Sequence, residues 1–211
     1  MCYSKDFSLF TLITGLSSSY LLKKYGDSNF NETNKNISIF FSFVSLMQLV
    51  EFLIWSDLDC SNGLNKFAGY IGPLLNTLQP SLLYLLHKKS FDKSKYSKLL
   101  NYSYLIYVFF YYINYLNNSD KCSKLVNKHI SWDWSDSNWD FYMIIIIFNS
   151  YLLFTNKYNK LVVILSAIFL LISKQYFRKN IGEFWCLFVT IIPTIILLTQ
   201  KIEYIRKKHY S

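Results

Sequence analysis

Seven apolar stretches, each bounded by polar or charged residues, constrain this chain more than any other feature of its sequence. The hydrocarbon core of a bilayer is crossed by about 20 apolar residues in an α-helix. Several of the stretches are shorter, and lysines that snorkel at their ends extend their reach. We therefore predict an all-α, polytopic transmembrane bundle of about seven helices, forming a single domain over residues 1–211. The predicted spans cover residues 7–22, 37–55, 67–86, 99–116, 139–154, 161–173 and 181–199.

The first stretch also has the features of a secretory signal peptide, because Lys5 precedes a short apolar core that ends in three serines. Lys23 and Lys24 follow directly, and basic residues at that point hold the end of a span in the cytosol. The sequence therefore favours an uncleaved first span.

The charge distribution predicts the orientation of the bundle. The formal net charge is +9, and the excess lies in short loops, which is typical of juxtamembrane segments rather than of a nucleic-acid interface. Basic residues dominate residues 23–35, 87–98, 157–160 and 201–208, whereas acids lie at 57–59 and 120–140. Arg178 and Lys179 fall on the predicted outer side and are an exception to this distribution. We expect the N-terminus outside, the C-terminus in the cytosol, and membrane lipids as partners.

The second and third spans carry the most polar intramembrane residues. Gln48, Glu51 and Trp55 are three and four residues apart and share one helical face. A carboxylate inside a bilayer is costly and faces the bundle interior or a watery cavity. Asn76 and Gln79 are likewise three apart, in a span where Gly69 and Gly72 permit close helix approach and Pro73 and Pro80 free backbone carbonyls. This set predicts either a structural hydrogen-bonded anchor or a proton or cation pathway.

The outer loop between spans four and five carries a Trp-rich motif. His129, Trp132, Trp134 and Trp139 lie among acids, and tryptophan favours the headgroup level, which predicts an interfacial aromatic belt. His129 and Asp133 would share a helical face, but one histidine with carboxylates is weak support for a metal, and we predict neither a metal nor a cofactor.

Two cysteines lie in consecutive predicted outer loops. Cys60 and Cys122 form a plausible disulfide if that side is oxidising, although four cysteines leave the pairing open. The predicted outer loop that carries Cys122 also contains an N-glycosylation acceptor at Asn117-Asn118-Ser119.

Four motifs together resemble a known group of proteins. These are MQLVEFLIW with Glu51 and Trp55, LNKFAGYIGPLLNTLQP ending in Gln79 and Pro80, HISWDW, and GEFWC with Trp185. In order and spacing they resemble uncharacterised multi-span membrane proteins of giant DNA viruses. Glu183 departs from the small residue expected after the glycine. The resemblance implies a viral origin and membrane residence, with His129, Trp132, Trp134 and Trp185 as an outer-face motif, and it implies no activity.

Three functional hypotheses follow. The first is a non-enzymatic component of a viral or host membrane, favoured because the sequence shows no catalytic constellation. The second is a small transporter, channel or sensor that uses the polar site around Glu51. The third is an intramembrane enzyme acting on lipids, which rests on analogy of fold alone. Catalytic residues are not identified, and a homo-oligomer remains open.

Overall fold

The computed structural model describes residues 4–86, 95–126, 129–134, 140–152, 156–176 and 190–210. It is mostly helical, with eight α-helices and one two-stranded hairpin in these ranges. The all-α class is therefore confirmed. The helices are α1 (Lys5–Tyr25), α2 (Asn31–Trp55), α3 (Leu64–Thr77), α4 (Gln79–Leu86), α5 (Lys95–Asn118), α6 (Asp140–Leu152), α7 (Lys157–Tyr176) and α8 (Ile192–Tyr210), and the strands are β1 (Lys124–Val126) and β2 (His129–Ser131).

One helical segment of the described chain, Ser28–Trp55, is long and apolar enough to cross a bilayer by length and composition. The third predicted span is divided at Leu78 into α3 and α4, and 13 residues of α6 are described. The first half of the seventh predicted span, residues 181–189, lies outside the described residues, while α8 continues past Thr199 and makes the basic tail helical. The seven-span arrangement and the single domain therefore stay predictions.

The first two helices form a closely packed antiparallel pair. Ser8, Thr11, Gly15 and Ser18 are buried in α1 and recur every three or four residues, so they lie on one face. A Cβ on Gly15 would overlap the Ser45 side chain of α2. Small residues let helix backbones approach closely, so that van der Waals packing holds the two helices together.

The break between α3 and α4 follows from proline chemistry. Pro73 has no N–H to donate to the Gly69 carbonyl one turn earlier, and the Tyr115 hydroxyl of α5 donates to that carbonyl at 3.0 Å. Pro80 cannot donate to the Asn76 carbonyl, which accepts the Leu78 N–H in the cap of α3 instead. The carbonyl released by Pro73 is thus used for a contact between helices.

The bundle has two chemically different ends. The disulfide end comprises residues 56–66 and 119–134, and Cys60 is joined there to Cys122. The basic end comprises residues 23–36, 156–160 and 200–208, and Asn34 pairs there with Gln200. Lys5 lies 5.1 Å from the Phe52 ring centroid, so α1 begins at the disulfide end.

Candidate functional site

The polar residues of α2 are fully enclosed. Gln48 and Glu51 have no exposed surface, and the Thr11 hydroxyl of α1 lies 2.6 Å from the Gln48 side-chain carbonyl, to which it donates. Thr11 was not singled out from the sequence, although its place in the small polar stripe of α1 is a signal that could have found it. The α1–α2 interface therefore contains a buried polar contact at Gln48, three residues before Glu51.

The structure separates the predicted polar set into two groups. Gln79 is fully buried, and its carbonyl oxygen accepts a hydrogen bond from the Tyr142 hydroxyl of α6 at 3.2 Å. Among the described residues no hydrogen bond joins Asn76 or Gln79 to Glu51. Gln79 therefore bonds to α6, and the anchor between the two spans through these side chains stays a prediction. The helical break at Leu78 lies between Asn76 and Gln79, so the three-residue spacing no longer places them on one continuous helix.

A second polar contact lies between α4, α5 and α6. The Asn101 and Asn149 amides donate to each other at 3.1 and 2.9 Å, and Asn149 also donates to the Pro80 carbonyl at 3.0 Å. The Tyr104 hydroxyl donates to the Thr77 carbonyl at 2.7 Å, at the break between α3 and α4. Sequence reasoning missed both asparagines, although an asparagine inside each of two apolar stretches was a usable signal.

The Trp-rich motif packs inward. Trp132 and Trp134 are buried, and their rings stack with centroids 5.4 Å apart. Trp134 fills the space over Gly72 of α3, where a Cβ would overlap its six-membered ring. The interfacial belt predicted for these two residues is therefore wrong, because Gly72 lets the loop enter the core. Trp139 and Trp185 lie outside the described residues, and Trp55 packs against the same cluster.

Close approach at Gly69 and Gly72 serves the loop rather than a second helix. A Cβ on Gly69 would overlap the Lys121 carbonyl. Cys60, which forms the disulfide, has a positive φ of 54°, and Lys121, which precedes Cys122, has one of 56°. Both residues therefore adopt the left-handed conformation. The loop is thus pressed onto α3 at two glycines.

Asp133 is the centre of the outer loop. Its Oδ2 atom accepts hydrogen bonds from the Tyr115 hydroxyl at 3.2 Å, from the Lys121 backbone N–H at 3.1 Å, and from the Ser119 hydroxyl. The Asp133 backbone N–H donates to the Ser123 hydroxyl at 3.2 Å. One carboxylate therefore ties the end of α5 to the hairpin.

The disulfide joins two segments that side chains also connect. Cys60 and Cys122, paired from loop order in the sequence, have Cα atoms 6.3 Å apart. Asn65 donates to the Ser123 carbonyl at 2.9 Å and accepts the Ser123 N–H at 3.0 Å. Asp57 accepts the N–H groups of Asn62 and Asn65, and the bond from Asn62 lowers the pKa of the Asp57 carboxyl.

His129 lies in strand β2, so it does not share a helical face with Asp133. Burial lowers the pKa of the His129 imidazole, which favours its neutral form. The described ranges contain no group of three or more histidines, cysteines and acids that could hold a metal ion.

Comparisons with protein-family models, with curated proteins and with solved structures find no match for the chain. The resemblance to membrane proteins of giant DNA viruses therefore stays a prediction.

Proposed function

We propose that the protein is a multi-pass integral membrane protein that serves as a non-enzymatic, organising component of a membrane. One observation carries this proposal: the bundle is apolar on its outer surface and polar in parts of its interior. The viral or host membrane is the expected site, on the strength of the sequence resemblance alone.

The outer surface exposes large apolar side chains on several helices. Phe10 of α1, Phe110 of α5 and Leu171 of α7 are 65%, 64% and 65% exposed, and Ile147 of α6 and Leu198 of α8 are also exposed. Soluble monomers rarely show extensive contiguous apolar surface, because water penalises it at roughly 25 cal/mol per Å². Lipid removes that penalty, which favours a bundle whose sides face acyl chains.

The interior shows the complementary pattern. Buried polar side chains meet across helices in the Thr11–Gln48 contact, the Asn101–Asn149 pair and the Tyr142–Gln79 bond. Hydrogen bonds of this kind join helices in membranes, where unsatisfied polar groups are costly. A polar interior within an apolar surface is what a bilayer selects.

The two ends differ in charge as the positive-inside rule requires of an oriented protein. The basic end exposes Lys23, Lys24, Lys35 and, on α8, a cluster of four cations. The disulfide end carries four acids, Asp57, Asp59, Asp120 and Asp133, against four lysines, so it is close to neutral where the basic end is strongly positive. Disulfides persist in oxidising compartments, so the covalent link and the charge bias both favour the disulfide end as the outer face.

Synthesis of the full chain into microsomes tests the proposal. We expect resistance to alkaline extraction, and digestion by added protease of an epitope fused after Ser211, because the basic end faces the cytosol. Glycan addition at Asn117 but not at the exposed sequon Asn31-Glu32-Thr33 would independently support the orientation, with Asn117→Gln as the control. Release of the chain by alkaline buffer would refute membrane integration, and a protected epitope would reverse the orientation.

A second candidate function is supported by the enclosure of Glu51. A fully buried acid on α2 is by default a candidate proton or cation site in a membrane. If it conducts, Glu51→Gln in proteoliposomes should abolish proton or cation flux, while Glu203→Gln at the basic end should leave it unchanged. Equal flux through wild type and Glu51→Gln would leave Glu51 with an architectural role.

A further inference from the structure

A cavity opens at the disulfide end, beside the centre formed by Asp133. Its volume is about 270 Å³, and it is open on one side. The last turns of α5 present one helical face to it, and the outer loop completes the lining. The lining residues are Tyr111, Asn114, Tyr115, Asn118, Ser119, Asp133 and Trp134.

The electrostatics of the cavity favour a cation. Asp133 contributes a carboxylate, and no ion pair joins it to a lysine, arginine or histidine of the described chain. The cavity also lies at the C-terminus of α5, where the helix dipole contributes partial negative charge. Lys121 covers one α5 carbonyl, that of Leu116 at 2.6 Å, but reaches Asp133 through its backbone N–H rather than its ammonium group.

The lining chemistry narrows the kind of cation. A metal ion requires several oxygen, nitrogen or sulfur ligands. Asp133 is the only acid among the lining residues, the Asn114 side-chain oxygen already accepts from the Asn118 amide at 2.7 Å, and the Ser119 hydroxyl donates to Asp133. Aromatic rings attract cations through their negative faces and recognise alkylated ammonium groups in particular. Tyr111 and Tyr115 line the cavity beside this carboxylate, so aromatic and negative surface lie together there.

We propose that this cavity binds a small organic ammonium cation of the choline type, with Asp133 neutralising its charge and the tyrosines contacting its alkyl groups. The volume is below the roughly 300–1,000 Å³ of pockets that hold drug-sized ligands, so a small ligand is enough to fill it. The cation could be free in solution or the headgroup of a choline lipid. The proposal is independent of whether Glu51 conducts ions.

Calorimetric titration of choline into the purified full chain, in nanodiscs of phosphatidylglycerol, tests the site. We expect saturable binding that weakens at least tenfold in Asp133→Asn. That variant keeps an acceptor for Tyr115, Ser119 and the Lys121 N–H, so it should fold. Asp120→Asn, an exposed acid of the same loop, is the matched control and should bind as wild type does.

A second variant keeps the test decisive if Asp133→Asn fails to fold. Asn114 is exposed and lines the cavity, so Asn114→Lys should place a tethered ammonium beside Asp133 and abolish binding. Asn117→Lys adds the same charge at an exposed position outside the lining and should not. The proposal is overturned if choline does not bind the wild type, or if it binds Asn114→Lys equally well. Equal binding of the neutral carbon isostere of choline would also overturn it.

The same titration in phosphatidylcholine nanodiscs identifies the source. A headgroup ligand would occupy the cavity there and suppress choline binding, whereas a free ligand would bind equally in both lipids. Either result is compatible with a cavity for ammonium cations and assigns its origin.

Discussion

The disulfide end and the basic end are held together by different means. At the disulfide end a covalent bond, two glycine contacts and the Asp133 centre press the outer loop into the core. At the basic end, side-chain pairs on the surface dominate: Lys157 pairs with Glu203, and its donated hydrogen bond lowers the pKa of the Glu203 carboxyl.

This difference indicates which end tolerates change. Contacts made by exposed charges are worth about 0–1 kcal/mol, whereas buried ring packing and a cross-link are worth several. The disulfide end is therefore the more strongly held of the two, and it also carries the cavity. The basic end combines the exposed Lys157–Glu203 pair with the buried Asn34–Gln200 pair.

Removal of the cross-link should have the largest effect. Cys60→Ser should lower the free energy of unfolding by about 4 kcal/mol, because the closed loop of 62 residues regains its entropy in the unfolded chain. Thermal unfolding in detergent would measure it. The control is Cys60→Ser combined with Cys122→Ser, which should cost no more than either single change; two additive losses would contradict the bond.

Overpacking the loop contact should come next. Gly72→Ala should destabilise the chain by about 1–3 kcal/mol, because its Cβ would overlap the rigid Trp134 ring. Trp134→Phe removes the overlapping ring atoms, so the double variant should lose less stability than the two single losses combined. Strict additivity in this cycle would show that the loop does not rest on Gly72.

The basic end should yield a smaller loss. Gln200→Ala removes a side-chain amide that donates to the Asn34 oxygen at 2.8 Å and accepts the Asp27 backbone N–H at 2.7 Å. We expect a cost of about 1–2 kcal/mol, since buried partners remain unsatisfied. Lys201→Ala, an exposed neighbour, should be neutral. A cost for Gln200→Ala as large as that for Cys60→Ser would abolish the contrast between the ends.

The smallest effect should be the acid sensitivity of the Asp57 cap. Its lowered pKa means that Asp57 stabilises the fold above its unfolded value of 3.8, and that this contribution is lost as pH falls through the folded pKa. Asp57→Ala should therefore lower the unfolding midpoint at neutral pH and converge with wild type in acid. Asp59→Ala, at an exposed position, should track wild type throughout; a constant difference across pH would exclude the carboxylate as the cause.

Particular residues show which features of the fold the sequence was able to predict. Apolar patterning was sufficient for α1, α2, α5 and α7, which overlap the predicted stretches and extend a few residues beyond them. Loop order made Cys60 and Cys122 candidates for a disulfide, and the structure decided the pairing. Residue spacing did not predict the relative positions of Asn76 and Gln79. It assumes an uninterrupted helix, whereas one helix ends at Thr77 and the next begins at Gln79.

Periodicity and charge order act locally along the chain, so the sequence by itself determined the helical class, the division into apolar stretches and the chemical difference between the two ends. The tertiary structure decided which polar groups meet and which aromatic rings are buried. Gly72 admits Trp134 only because the loop returns over α3, and Gln79 bonds to Tyr142 only because α6 packs beside α4. Such contacts depend on distances between residues far apart in the chain, which no local pattern encodes.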